Sequence, residues 1–199
     1  MTNRHYAIIG FLAPTIFWLT YFALVNQRPD YSFLTKAISE LGSVDAPNKW
    51  IWNFLGYFTT GILISIFGIG LYKNIATDKS NKLPLIGILL SGLFMSISGV
   101  FPGDFENKQS LTMLLHGIGS FGSYIFFLIG AFSYPKLMRK STYWSKAIKP
   151  TLIFTWLTIL FGSWGSLFPS YPAAGQRIVF ALYFLWIIFT ANKLYGLKK

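Results

Sequence analysis

Six apolar stretches, each close to the length needed to cross a bilayer, constrain this chain more than any other feature. They run over residues 6–25, 51–72, 84–101, 111–134, 150–168 and 177–195. A hydrocarbon core of about 30 Å takes roughly 20 consecutive apolar residues in a helix. Inside lipid every backbone N–H and C=O must be satisfied within the protein, and for runs of this pattern a helix does so. The expected fold is therefore all-α: a polytopic transmembrane bundle of six helices, one domain over residues 1–199. The first run reads as a retained span and not a cleaved signal, because it is long, carries Pro14 in its middle and lacks a small-x-small site before the polar loop. Composition agrees. Hydrophobic residues make up 53% and charged ones 12%, about half the charged share of a soluble domain.

The net charge of +11 invites a nucleic-acid reading, which topology removes. With the N-terminus cytoplasmic, the inner segments hold Arg4, Lys73, Lys79, Lys82, Lys136, Arg139, Lys140, Lys146, Lys149, Lys193, Lys198 and Lys199 against the single acid Asp78. The outer segments hold Arg28, Lys36, Lys49, Lys108 and Arg177 against Asp30, Glu40, Asp45, Asp104 and Glu106. The whole excess is thus positive-inside bias. The expected topology is N-in and C-in in a cytoplasmic membrane, with membrane lipids as partners and no nucleic acid. The basic 135–149 loop is placed to rest on anionic headgroups. The chain has no cysteine, which excludes disulfides, thiolate metal sites and cysteine nucleophiles.

Small residues recur at helix-face spacing inside the spans: Gly61, Ser65 and Gly68; Gly92, Ser96 and Gly99; Gly119, Ser120 and Ser123; Gly162, Ser163, Gly165 and Ser166. Close backbone approach is the main source of helix packing in lipid, so these mark helix contacts. The longest link is residues 26–50. In it Tyr31, Leu34, Ile38 and Leu41 recur at i, i+3, i+7 and i+10, with Ser32 as N-cap and Gly42 past the end. The pattern predicts a short amphipathic helix over 31–42 on the outer mouth of the bundle.

None of the spans has an acid near its centre, which argues against an ion or proton relay and makes transport the weakest reading. Polar chemistry gathers in the outer third: Ser39 and Glu40 at the end of the loop helix, Asp104 after the third span, His116 early in the fourth, and Gln176 and Arg177 opening the sixth. Glu40 at a helix C-terminus and Arg177 at a helix N-terminus both sit on the wrong side of the dipole. The expectation is that Arg177 pairs with Glu40, Asp104 or both. One histidine with Asp104, Glu106 and Glu40, without HxxxH or HxxE spacing, does not make a metal set, and neither metal nor other cofactor is expected.

Several short elements in a fixed order carry a resemblance: Ser39-Glu40-Leu41 after the first span, Asn53 opening the second, Phe101-Pro102-Gly103-Asp104 after the third, Leu115-His116-Gly117 in the fourth and Gly175-Gln176-Arg177 before the sixth. Together they resemble the family of prokaryotic integral membrane proteins known as domain of unknown function 998, over about residues 7–195. The resemblance implies Ser39, Asn53, Asp104, His116, Gln176 and Arg177 as functional positions and implies no particular activity. The leading functional reading is an outer pocket, with ligand-binding candidates Glu40, Asn53, Asp104, His116, Gln176 and Arg177, that holds a lipid-like amphiphile or a membrane partner protein. The alternative is a membrane-embedded hydrolase or transferase with catalytic candidates His116 as base, Asp104 as orienter and Ser39 as nucleophile.

Overall fold

The computed structural model describes residues 1–77 and 80–197; the charges at Asp78, Lys79, Lys198 and Lys199 counted above lie outside them. Among the described residues all regular structure is helical. Six principal helices follow in order: α1 Asn3–Val25, α2 Lys49–Ile75, α3 Leu83–Val100, α4 Leu111–Met138, α5 Ile148–Gly162 and α6 Pro172–Tyr195. All except α5 are long and apolar enough to cross a membrane; α5 is apolar but has 15 residues. One-turn helices at Thr142–Ser145 and Trp164–Leu167 flank α5. The links 26–48, 101–110 and 163–171 lie on one face of the bundle, here the capped face, and the strongly basic link after α4 lies on the opposite face.

The helices meet where the small residues are. At the α2–α3 crossing Gly61 and Gly92 face each other so closely that a Cβ on either would overlap the other's carbonyl oxygen. Ser65 and Ser96 reinforce the contact by donating across it to Leu89 O and Phe58 O, each at 3.0 Å. Ser91 of α3 donates to Ser123 O of α4 at 2.8 Å. The other half of the core is aromatic: Phe17 of α1 packs on Trp52 of α2 and on Phe180 and Phe184 of α6.

Two elements depart from the pattern of the sequence. The expected fifth span, 150–168, breaks at Ser163, because Gly162, Ser163, Gly165 and Ser166 are poor helix formers and all four are exposed. Within α2, Trp52–Thr59 winds as a π-helix, flanked by α-helical turns. Its wider turn carries Thr60 Oγ1 into a 3.0 Å bond with Leu55 O, five residues back. π segments cluster at functional sites, and this one faces the capped side.

Candidate functional site

The link after α1 does not form the amphipathic helix expected over 31–42. Only Ile38–Gly42 is regular, as a 3-10 helix. In an α-helix Ile38 N–H would donate to Leu34 O. Here it donates to Gln176 Oε1 at 2.8 Å, and Leu34 O accepts from Ala173 N at 3.1 Å. The start of α6 has replaced the loop's own helical bond with two of its own. Tyr31, Ile38 and Leu41 are buried as the spacing foretold, while Leu34 is exposed.

This geometry removes the dipole conflict at Glu40. The residue sits in the first turn of the 3-10 helix, and its Oε1 accepts from Ala37 N at 2.7 Å, so the carboxylate is at the favourable end. Its other oxygen lies 3.5 Å from Lys36 Nζ.

Arg177 meets no carboxylate among the described residues, so the expected ion pair is not formed. Its Nε donates to the Tyr21 hydroxyl, Nη1 to Ala173 O, and Nη2 to the Tyr31 hydroxyl and to Lys36 O, all at 2.8 Å. The guanidinium carbon lies 5.9, 5.5 and 5.7 Å from the ring centroids of Tyr21, Tyr31 and Phe33. The negative faces of aromatic rings take the place of the carboxylate. Burial raises the Tyr31 hydroxyl well above the usual tyrosine range, against the lowering pull of Arg177. It therefore keeps its proton and donates it to Ala37 O at 2.9 Å.

His116 is 4% exposed and closes the end of α3. Its Nδ1 lies 2.8 Å from Phe101 O and 3.1 Å from Ser98 O, two carbonyls left free where that helix ends. Carbonyl oxygens only accept, so Nδ1 carries the proton and Nε2 of the neutral ring presents a lone pair. Nε2 makes no hydrogen bond with a described residue. Asp104 does not orient this ring: its Oδ1 accepts from Asn107 N at 3.0 Å in a local turn. Asn53, fully buried at the start of the π segment, donates from Nδ2 to Gly42 O at 2.9 Å.

Ser39, His116 and Gln176 come together on a cavity of about 460 Å³, in the range of small-molecule sites. Glu40, Asn53, Asp104 and Arg177 do not line it. Its polar end is completed by Tyr57, which the π segment of α2 turns inward beside Ser39. Its walls are apolar, from Met95, Phe127, Phe161, Val179 and Phe180 among others. The cavity opens sideways between α4 and α5. The two helices touch where the Tyr124 hydroxyl donates to Thr158 O at 3.2 Å. Toward the capped face they part, leaving Ser120, Phe121, Gly162 and Gly165 exposed along the lining.

These residues and their order agree with a family. A family model described as "Protein of unknown function (DUF998)" matches residues 11–193. The chain belongs to that family. No curated protein and no solved structure matches it at a significant level.

In this DUF998 chain the short motifs are one another's partners. Gln176 and Arg177 hold the Tyr31–Ile38 segment, Asn53 holds Gly42, and His116 holds the end of α3 at Phe101. Further along that stretch, Thr112 donates to Pro102 O at 2.8 Å and Val44 N to Gly103 O at 3.0 Å. Tyr21, Tyr31 and Tyr57 were missed from the sequence. With carboxylates on offer for Arg177, nothing in the sequence pointed to Tyr21 and Tyr31 as its partners, and Tyr57, inside the π segment, had no signal either.

Proposed function

We propose that this DUF998 protein is a six-span resident of a prokaryotic cytoplasmic membrane, with both termini inside, whose cavity binds a lipid-like amphiphile drawn from the outer leaflet. The observation that carries the reading is the cavity: apolar walls, one polar end at Ser39, Tyr57, His116 and Gln176, and a side opening between α4 and α5. An amphiphile matches each feature in turn, with its chain along the walls and its head at the polar end. A partner protein would have to reach that end through the same slit.

The orientation rests on the charge asymmetry of the links. The count of six takes α5 as a span although it rises only about 22 Å at 1.5 Å per residue, the shortfall being met by the turn Trp164–Leu167. An even count puts both termini on the basic face. A second reading, hydrolysis or group transfer, is favoured by one observation: the lone pair on His116 Nε2 shares the cavity with the Ser39 hydroxyl. Backbone carbonyls, in place of Asp104, would then orient the base.

Gly117 supplies the test. It lines the cavity, and a Cβ there would meet no atom within 4 Å. Gly117→Phe should fold normally and fill the space. Lipid extracts of the purified wild type should contain an amphiphile that the variant lacks at equal melting temperature. Equal content in both would reject the proposal.

A further inference from the structure

The polar end of the cavity also restricts the head it takes. No aspartate, glutamate, lysine or arginine lines the cavity among the described residues. Arg177, next in the chain to Gln176, spends donors on Tyr21, Tyr31, Ala173 and Lys36 and belongs to the loop clamp. An ion seated at this end would be desolvated without a counter-charge, which proteins avoid at considerable cost.

What the end does offer is one fixed acceptor and one fixed donor. His116 Nε2 is an acceptor because Nδ1 is committed to Phe101 O and Ser98 O. The Gln176 amide is equally fixed. Ile38 N can only donate, so the atom 2.8 Å away is the amide oxygen, and Nε2 remains as donor without a described partner. Ser39 and Tyr57 share the lining with them, and each hydroxyl can play either role. Deeper in, the Tyr183 hydroxyl is taken by Ser91 at 2.9 Å and makes a weaker call on any ligand.

On this basis we infer that the amphiphile carries an uncharged hydroxyl as its buried head, as in a long-chain alcohol or a monoacylglycerol. A hydroxyl donates to His116 Nε2 and accepts from the Gln176 amide at once. A carboxylate can only accept and a quaternary ammonium can do neither, and these ions, like a phosphate, bring a charge that no described lining residue pairs. The inference rests on the cavity-binding reading and sharpens it.

Three brominated probes with the same chain decide the matter: dibromostearyl alcohol, dibromostearyl phosphate and dibromostearyl trimethylammonium. Trp164 lines the cavity, so a bound bromine quenches its fluorescence. Quenching that persists in Gly117→Phe comes from the surrounding micelle and is subtracted. The alcohol should bind at least tenfold tighter than either ion. Gln176→Glu retains the acceptor for Ile38 N and removes the donor; it should weaken the alcohol at least tenfold and reverse its preference over the ammonium. Phosphate binding as tight as the alcohol's, and abolished by Gly117→Phe, would overturn the uncharged head and leave cavity binding standing. No Gly117→Phe-sensitive quenching by any probe would overturn both.

Discussion

Arg177 and Tyr31 share a 2.8 Å hydrogen bond that fastens the second turn of α6 to the link after α1. The tyrosine passes its own proton to Ala37 O, so one guanidinium orders the loop on both sides of Lys36. Hydrogen bonds to charged groups contribute about 1.5–3 kcal/mol each. Arg177→Leu removes the whole set and should cost about 3 kcal/mol or more, among the larger effects of single substitutions. Arg177→Lys should rescue little, since an ammonium lacks the planar fork that reaches Tyr21, Tyr31 and Lys36 together. Melting in detergent, with the exposed Lys108→Leu as reference, checks this. Arg177→Leu and Lys108→Leu melting alike would show that the clamp contributes nothing.

The same tyrosine predicts an alkaline weakness. Its folded-state pKa is raised above the ordinary 10.0, with burial as the largest cause. The unfolded chain therefore releases this proton first as pH rises. The stabilisation is complete below about pH 10 and is lost progressively above it. Tyr31→Phe should melt lower at neutral pH, for want of the hydroxyl, yet show a shallower fall in melting temperature between pH 10 and pH 11. An unchanged slope would place the alkaline sensitivity elsewhere.

The contrast between Leu41 and Leu34 shows how far the sequence could be read. Both lie on the apolar face of the expected loop helix, and only Leu41 is buried. Periodicity reports which residues prefer to leave water. It is silent about which carbonyls a distant helix will claim, and here Ala173 and Gln176, far along the chain, claimed the loop's bonds. Arg177 was misread for a related reason. Formal charge counting sees carboxylates and overlooks the partial charge on aromatic faces. The long spans were legible because their lengths and composition admit few other structures. The π winding of Trp52–Thr59 was not, because an apolar run of eight residues reads the same in either helix. Ser39, His116 and Gln176 line one cavity, while Glu40, Asn53, Asp104 and Arg177 lie outside its lining and make hydrogen bonds in the segments around it.

Orientation is testable directly because the chain has no cysteine of its own. Single cysteines at Ser80 and Ser141 should stay silent toward an impermeant thiol reagent in intact cells, and one at Asn107 should react. Reaction at Ser80 with silence at Asn107 would invert the proposed topology.

Gly61 and Gly92 give the packing prediction. Each would press a Cβ onto the other's backbone carbonyl, which cannot swing aside as a side chain can. Gly92→Val should force α2 and α3 apart at a cost of about 1–3 kcal/mol or more. Gly117→Val, one helix over and facing open space, should leave stability within about 0.5 kcal/mol. Similar melting of the two variants would show that the crossing is not tight.

His116 separates helix closure from ligand contact, since its two ring nitrogens face different ways. Nδ1 serves Phe101 O and Ser98 O at the end of α3, and Nε2 faces the cavity. Asparagine places an amide nitrogen about where Nδ1 sits and nothing where Nε2 sits. His116→Asn should therefore keep the cap, melt close to the wild type and lose most of the bound amphiphile. His116→Ala leaves both carbonyls unpaired and should lose about 1–3 kcal/mol as well as the ligand. The imidazole ¹⁵N shifts of the selectively labelled wild type should report a protonated Nδ1 and a bare Nε2. A proton on Nε2 would contradict the geometry, and an Asn variant as unstable as the Ala variant would show that the ring's shape, more than its donor, closes α3.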